Sequence, residues 1–468
     1  MSKRERAVRW VVVLVPALAL YFIPAAGLNA GQRHLLAIFV ATIIAQVAQP
    51  VPMGVSVVTA TTMLVLTGTL SSAKALSGFS NATVWMVFTA FLFARAITAT
   101  HFGLRIAYLF IRRFGHNALT LGYSVAASDV TLAPFVPSDT ARGGGIIYPI
   151  ARSLAQVFES EPGPTAGRIG SYLMLVAFHT TYTASAMFLT GMVSNPLIAE
   201  FARKIAHVEL SWITWALAAI VPGLLTLTIV PYLLYRLNPP EIRDTRQAQR
   251  LAIDELHRMG PLSSRERRLI AILAGIMIGW ITSPWHGLPN AFVALSGLSA
   301  ILLFGVITWD DLLRETAAWN ALIWFAPLIM MADALTESGV IRAISESSFV
   351  YITRWPWPAA AAAVVIGYLY VHYGFASMTA HVTALYPGFL AAGLAAGAPP
   401  MLVALALAFF SNLDAGITHY GTGSAPVYFG AGYVSQTTWW RLGLIISVVN
   451  LIIWLGIGPV WWRVLRLW

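Results

Sequence analysis

Long apolar stretches separated by short polar segments recur along the whole chain. The clearest are 9–26, 35–47, 211–235, 269–281 and 442–462. A helix of about 20 apolar residues is long enough to cross the hydrocarbon core of a bilayer. We count about eleven such stretches, which predicts an all-α polytopic membrane protein with about eleven transmembrane helices.

One extended polar segment, 236–268, interrupts this pattern near the middle of the chain. Its charges are mixed with a basic excess, and its interior has the composition of a short amphipathic helix. Basic loops of membrane proteins stay on the cytoplasmic side. The pattern therefore predicts an inner-membrane protein with this loop and the N-terminus in the cytoplasm. After an odd number of spans, the C-terminus is predicted to be periplasmic.

The composition indicates that the solvent is a bilayer. The chain is 58% hydrophobic and 10% charged, whereas a soluble domain has about 25% charged residues. The net charge of +10 raises the alternative of nucleic-acid binding, but the sequence offers no polar domain on which to build such a face. Because there is no cysteine, disulfides and thiolate metal sites are excluded.

Two motifs recur along the chain with the same offset. Asn-Ala-x-x-Trp starts at Asn81 and again at Asn320, and Ser-x-Thr-Ala starts at Ser138 and again at Ser377. The differences 320 − 81 and 377 − 138 are both 239. Our span count puts an odd number of crossings between the copies. This predicts an inverted repeat, an architecture in which secondary transporters bind substrate near the bilayer midplane.

Proline and glycine interrupt four of the apolar segments. Segments 118–158 and 359–394 are too broken for one span each, and they are predicted to form re-entrant hairpins with the two Ser-x-Thr motifs at their tips. Segments 171–199 and 401–430 are predicted to be broken helices. Backbone outside a helix is tolerated at membrane depth only where it is buried in protein or lines a cavity.

The predicted repeats divide the chain into five parts. Scaffold helices occupy 1–77 and 269–316, the repeats occupy 78–235 and 317–468, and the cytoplasmic loop is 236–268. Each repeat carries one hairpin and one broken helix. Unwound turns expose N–H groups and carbonyls, and helix N-termini favour anions. Together with Ser and Thr hydroxyls, these groups suit a solute that carries carboxylates.

Four stretches, 135–150, 185–197, 377–387 and 411–443, resemble the divalent anion:sodium symporter (DASS) family. They are most similar to the branch of bacterial citrate/succinate and tartrate/succinate antiporters and chloroplast 2-oxoglutarate/malate translocators. The resemblance covers most of the chain. It implies a homodimer in which each protomer pairs a scaffold domain with an elevator-like transport domain that carries both hairpins.

The function implied by the resemblance is exchange of di- or tricarboxylates, such as succinate, malate, 2-oxoglutarate, citrate or tartrate. The alternative is a sodium- or proton-coupled symporter of dicarboxylates or another divalent anion. An enzyme would need a nucleophile–base or metal constellation, and none appears at suitable spacing. Paired hairpins and broken helices argue against a channel.

The two hairpin tips match the paired Ser-Asn-Thr signatures of the family, except that Asp139 and Met378 replace the asparagines. In sodium-coupled relatives those asparagines help to bind substrate and sodium, so their loss argues against sodium coupling, and no other cofactor is implied. The substrate-binding residues expected at the tips are Ser138, Asp139, Thr140, Arg142, Ser377, Thr379 and His381.

Arg142 and His381 occupy equivalent positions in the two repeats. A guanidinium holds a carboxylate through two parallel hydrogen bonds, and a protonated histidine also donates to one. Our hypothesis is that these fixed cations do the work of bound sodium, so that only the loaded carrier crosses readily. The alternatives are that backbone carbonyls satisfy Arg142 and that His381 is a packed histidine with a local hydrogen bond.

Asp139 has three open roles: it pairs with Arg142 in the empty carrier, titrates as a proton site, or selects a partly protonated or amine-bearing substrate. Asp129 and Asp139 are the candidates for a proton or charge relay, because charges inside spans are usually functional. The broken helices are expected to line the site through Thr190, Gly191, Asn195, Thr422 and Gly423.

Four further polar residues lie in apolar segments. Asp414 is another candidate proton relay, and Asp333 is expected at the membrane interface. His179 and His419 are placed on the broken helices, but no spacing links them to carboxylates as metal ligands. The sequence therefore predicts neither a metal site nor a catalytic group.

Overall fold

The computed structural model describes residues 3–23, 27–340 and 354–468. Within these ranges the chain forms helices joined by turns, without a β-strand. The predicted all-α fold class is confirmed at this level. Several helices begin at a side-chain cap, as at Asn81, Ser211 and Ser435, where the side-chain oxygen accepts a hydrogen bond from a backbone N–H of the first turn.

Eleven of the described α-helices precede the central polar loop. In chain order they are α1 (Lys3–Phe22), α2 (Ala30–Ala48), α3 (Met53–Leu66), α4 (Ser72–Leu76), α5 (Ala82–Ala99), α6 (Phe102–Phe114), α7 (Ala118–Leu132), α8 (Tyr148–Val157), α9 (Gly170–Met187), α10 (Ser194–Phe201) and α11 (Trp212–Leu237).

The described α-helices from the loop onward are listed in the same way. They are α12 (Arg246–Met259), α13 (Ser264–Ile281), α14 (Ser283–His286), α15 (Asn290–Leu303), α16 (Trp309–Arg314), α17 (Thr316–Glu337), α18 (Trp357–Val371), α19 (Met378–Ala395), α20 (Pro400–Leu413), α21 (Ala425–Gly430), α22 (Gln436–Leu451) and α23 (Gly458–Val464).

Six helical segments in the described part of the chain are long and apolar enough to cross a membrane. They are α2, α5, α11, α17, α20 with its 3₁₀ extension to Ile417, and the segment Gln436–Val464. Helices α3 and α15 are apolar but shorter. The sequence-based count of about eleven included stretches that are short or interrupted helices here, and the number of crossings stays a prediction.

The two hairpins contain the same elements at the spacing of the sequence repeat. Helix α7 ends at Leu132 and α18 ends at Val371, and one 3₁₀ turn follows each, Ala133–Phe135 and His372–Gly374. The differences 371 − 132 and 372 − 133 are both 239. Each tip comes next, and then the second arm of the hairpin. In the first hairpin, Pro137 has no N–H with which to continue a helix.

The two predicted broken helices are each interrupted. Helix α9 ends at Met187, and α10 begins at Ser194. Helix α20 tightens into a 3₁₀ turn at Asp414–Ile417, and α21 begins at Ala425. This second break begins where the chain passes close to Tyr182 of α9. A Cβ on Gly416 would lie 2.5 Å from the Tyr182 hydroxyl.

The broken helices form the centre of the molecule. Every residue of α9 is buried, and α20 is buried from Leu402 to Leu413. A helix that is apolar on all sides is stable only when other elements surround it. Helices α9 and α20 pack against each other, while the hairpin arms α8 and α19 pack on α9 and α20 respectively.

The polar loop contains the amphipathic helix α12, which covers α6 with its buried face of Ala248, Ala252 and Leu256. Beside it, Arg105 Nε donates to Glu266 Oε1 at 2.6 Å, and both side chains are buried. Burial opposes ionisation of Glu266, but hydrogen bonds from Arg105 and from Ser263 outweigh it and lower the pKa of this carboxyl. This ion pair joins α6 to the start of α13.

Candidate functional site

The two tips are built around equivalent serine caps. In the first, the Ala141 N–H donates to Ser138 Oγ at 3.2 Å; in the second, the Ala380 N–H donates to Ser377 Oγ at 3.3 Å. The first serine lies two residues before a π-helical stretch at Thr140–Ile147, and the second is the N-cap of helix α19. The sequence repeat therefore extends to individual hydrogen bonds.

Asp139 joins the first tip to the unwound part of the second broken helix. Its side chain is buried, and it accepts hydrogen bonds from the Thr422 hydroxyl and, at 2.8 Å, from the Ser424 hydroxyl. Between those two residues, a Cβ on Gly423 would lie 2.3 Å from Thr140 Oγ1. The structure thus brings together four of the predicted site residues, and it leaves Thr140 exposed beside the half-buried Ser138.

Our hypothesis expected Arg142 to face the substrate, but the structure places its side chain in the protein interior. Its side chain is fully buried, and its hydrogen bonds use all five N–H donors that a guanidinium possesses. Their acceptors are Asp129 Oδ1 at 2.6 Å, Val136 O at 2.8 Å, Gly191 O at 3.0 Å, Thr181 O at 2.9 Å and Ser185 Oγ at 2.7 Å. Arg142 therefore has no donor left for a substrate carboxylate in this conformation.

Two expectations are corrected by these contacts. The alternative in which backbone carbonyls satisfy Arg142 describes its surroundings, with Asp129 as its counter-ion. The pairing of Asp139 with Arg142 is not formed, because hydroxyls from the other repeat hold Asp139 instead. Asp129 thus compensates a buried cation and keeps only one oxygen, Oδ2, without a hydrogen-bond partner.

The first broken helix stabilises the first tip through hydrogen bonds. Thr190 Oγ1 donates to the Pro134 carbonyl at 2.6 Å, and Gly191 supplies one of the acceptors for Arg142. Asn195 Nδ2 donates to two carbonyls at the C-terminal end of α9, and its Oδ1 accepts from Asn412 Nδ2 at 2.8 Å. These three predicted lining residues therefore fix the unwound backbone, and Asn195 also joins the two broken helices.

Behind the second tip, three titratable side chains converge, and all are fully buried. His381 Nδ1 lies 2.6 Å from Asp414 Oδ2 and 2.9 Å from His372 Nδ1. His372 Nε2 lies 2.7 Å from the Gly421 carbonyl, and the ring of Tyr368 stacks on His381 at 4.3 Å. The alternative of a packed histidine with a local partner describes His381, and that partner is Asp414.

Segment 421–424 lies between the two tips. Its Gly421 carbonyl contacts His372 behind the second tip, while Thr422 and Ser424 hold Asp139 of the first. This unwound segment therefore links the first tip to the buried histidines behind the second tip.

Sequence reasoning missed His372 and Ser424. A signal for Ser424 was present, because Gly-x-x-Ser-x-Pro occurs at 191–196 and again at 421–426, with its serine at the start of each second half-helix. His372 had a weaker signal. It opens the 3₁₀ turn before the tip, and its repeat partner, Ala133, has no polar side chain.

Two serine-capped hairpins and two interrupted helices, packed around buried polar side chains, are typical of a membrane transporter. The family model described as "Sodium:sulfate symporter transmembrane region" matches residues 4–468. The chain belongs to this family, and the DASS resemblance is confirmed.

Relatives in several organisms are similar over nearly the whole chain. YflS of Bacillus subtilis, whose name proposes malate transport, is 45% identical over 99% of this chain and 98% of its own length. The chloroplastic dicarboxylate transporter 1 of Arabidopsis thaliana is 43% identical over 97% of this chain and 82% of its own. The inner membrane protein YbhI of Escherichia coli is 36% identical over 98% of both chains.

Two solved transporters share the fold at low sequence identity. The YdaH transporter of Alcanivorax borkumensis superposes with a TM-score of 0.55 at 17% identity, over 82% of this chain and 86% of that chain. MtrF of Neisseria gonorrhoeae gives a TM-score of 0.55 at 13% identity, over 98% of this chain and 94% of that chain. These similarities concern the fold alone.

Proposed function

We propose that this protein exchanges di- or tricarboxylates across the inner membrane and binds them between the two hairpin tips. The observation that carries the proposal is the pair of equivalent serine-capped tips on either side of segment 421–424. Similarity to chloroplastic dicarboxylate transporters and to YflS supports carboxylates as the substrate class.

The substrate is held by hydroxyls and by helix starts. Ser138 and Ser377 are half-buried, Thr140 is exposed and Thr379 is buried with a slight opening, so all four tip hydroxyls remain candidate donors. The N-terminal end of α19 and the start of the π-helical stretch add partial positive charge, which favours carboxylates. Arg142 and His381 act on the substrate only from behind the tips.

The charges near the tips do not support the hypothesis that uncompensated fixed cations favour exchange. Arg142 is matched by Asp129 and His381 by Asp414, so the empty carrier has no excess positive charge at these positions. Exchange therefore rests on the resemblance to antiporters and on the replacement of both signature asparagines. Proton-coupled symport is the second candidate, because Asp139 and the His372–His381–Asp414 cluster are buried groups able to carry a proton.

The mechanism we propose is an elevator. Each hairpin packs on the broken helix of its own repeat, and the two broken helices pack against each other, which supports their movement as one body against the scaffold helices. The proposed assembly is a homodimer, with the N-terminus in the cytoplasm and the C-terminus in the periplasm.

Reconstitution in liposomes tests the function. Vesicles are preloaded with succinate, malate, 2-oxoglutarate, citrate or tartrate, or left empty, and uptake of labelled succinate is followed with and without a sodium gradient. We expect saturable uptake only into preloaded vesicles and no effect of sodium. Sodium-driven uptake into empty vesicles would establish symport instead, and non-saturable flux would establish a channel.

A further inference from the structure

The cluster behind the second tip contains three hydrogen-bonding atoms that face one another. Asp414 Oδ2 lies 2.6 Å from His381 Nδ1 and 3.3 Å from His372 Nδ1, and the two nitrogens are 2.9 Å apart. We call His372, His381 and Asp414 the trio. All three side chains are fully buried.

The neighbours of the trio fix part of its proton arrangement. The Gly421 carbonyl can only accept a hydrogen bond, so His372 Nε2, 2.7 Å away, carries a proton. His372 Nδ1 is then protonated only when the ring is a cation. Because two N–H groups cannot point at each other at 2.9 Å, at most one of the facing nitrogens donates toward the other.

Two forms of the trio satisfy these contacts, and they differ by one proton. With two neutral histidines and an ionised Asp414, the trio has a net charge of −1, and His381 Nδ1–H donates to the carboxylate. One added proton makes the trio neutral with the same heavy-atom contacts. A net charge buried in this interior is costly unless it is compensated.

The same residue types also bind zinc, but the spacing argues against it. Tetrahedral zinc has ligand bonds of about 2.0–2.1 Å, which keeps neighbouring ligand atoms about 3.3 Å apart. Two of the three separations here, 2.6 Å and 2.9 Å, are shorter and match hydrogen bonds.

No other ionised side chain contacts the trio in the described part of the chain. Tyr368 of α18 stacks on His381, Tyr182 of α9 packs against Gly416, and α22 approaches the Asp414–Ile417 turn through Gly443. The nearest link to another carboxylate runs through segment 421–424 to Asp139. The charge of the trio is therefore set by its own protons and by whatever binds at the tips.

We propose that the trio is a proton-binding site that takes up one proton when a carboxylate binds at the tips and releases it when the carboxylate leaves. This inference rests on the proposed carboxylate transport. His381 lies in the first turn of α19, directly behind the Ser377 cap, so a bound dianion makes the potential at the trio more negative. A more negative potential raises the affinity of the trio for a proton, and the coupling is reciprocal.

Proton uptake on binding is the direct test. Purified transporter in weakly buffered detergent with a pH indicator is titrated with malate between about pH 6 and 8, the range in which histidine clusters titrate. We expect uptake on the order of one proton per chain for the unmodified protein. Asp414→Asn and His381→Gln are expected to bind malate without it. His419→Gln, a histidine bonded to Trp440 outside the trio, is the matched control and retains the uptake.

A second measurement keeps the test decisive if the trio variants do not fold. The malate Kd of the unmodified protein is measured by calorimetry over the same pH range. Linkage requires binding to weaken with rising pH, by up to about tenfold per pH unit, over the range in which binding takes up the proton. Malate binding without proton uptake and with a constant Kd overturns the proton site but leaves carboxylate transport intact. Failure of every tested carboxylate to bind refutes the proposed function, and this inference with it.

Discussion

Arg142 and Asp129 form an ion pair that is completely buried inside the first hairpin. Desolvation of two charges is costly, and the pair persists because further carbonyls and one hydroxyl take the remaining donors of Arg142. The pair therefore stabilises the first tip, and this stabilisation depends on Asp129 as much as on Arg142.

Removing one partner of this pair tests its role. We expect Asp129→Asn to destabilise the protein by about 3–5 kcal/mol, because a buried guanidinium is left uncompensated. Thermal unfolding followed by tryptophan fluorescence measures the change, with the exposed Asp310→Asn as the control. An Asp129→Asn protein as stable as the control would contradict the assigned role.

Gly423 offers a second test at the scale of single residues. A Cβ at this position would meet Thr140 Oγ1 at 2.3 Å, so Gly423→Ala overpacks the contact between the first tip and segment 421–424. We expect a loss of about 1–3 kcal/mol in unfolding free energy. In a Thr140→Ala background the hydroxyl is gone and the loss should largely disappear, so equal losses in both backgrounds would refute the clash.

A second buried ion pair joins helix α6 to the start of α13, beside the central polar loop. Arg105 of α6 and Glu266 of α13 are buried under the loop helix α12, while Glu255 and Arg258 form an exposed pair on α12 itself. Because the pKa of Glu266 is lowered in the folded protein, its stabilisation is present above the ordinary carboxyl range and is lost as pH falls through the lowered value.

Removing the carboxylate from each of these two ion pairs is expected to change the stability by different amounts. Glu266→Gln should cost about 3 kcal/mol or more and separate α6 from α13, whereas Glu255→Gln should change stability by less than about 1 kcal/mol. Unfolding midpoints of the two variants at neutral pH make the comparison. At acidic pH, near the lowered pKa, the difference between unmodified protein and Glu266→Gln should shrink; a constant difference would rule out the proposed linkage.

The proposed elevator requires one part of the molecule to move against the rest, and one ion pair is suited to test this movement. Lys204, in the π-helical turn after α10, forms an ion pair with Asp333 on α17. This pair links the first broken helix to a helix outside both hairpins. If the hairpins and broken helices move as one body relative to α17, this contact breaks in each transport cycle.

Crosslinking tests this movement, since the chain contains no native cysteine to interfere. We expect a short reversible thiol crosslinker to stop malate exchange by a Lys204→Cys/Asp333→Cys carrier and a reductant to restore it. The two single cysteine variants, treated identically, control for chemical modification. Undiminished exchange by the crosslinked carrier would exclude movement at this contact.

The repeat and its interruptions could be predicted from the sequence, because they depend on residues that are close together along the chain. Ser138 and Ser377 accept hydrogen bonds from residues three positions later, and Pro137 has no N–H with which to continue the preceding 3₁₀ turn. Apolar length likewise predicted membrane helices. These properties require only neighbours along the chain or the presence of a bilayer.

Pairing of the buried charges was decided only by the tertiary structure. Arg142 has its donors taken by Asp129 and by carbonyls of the first broken helix, while hydroxyls 283 and 285 residues away hold Asp139. His372 likewise became part of the site only because folding brings it next to Asp414 and the Gly421 carbonyl. Sequence determined which polar groups enter the membrane. Their partners were fixed by folding, because a buried charge is compensated by whatever the packing brings within hydrogen-bonding distance.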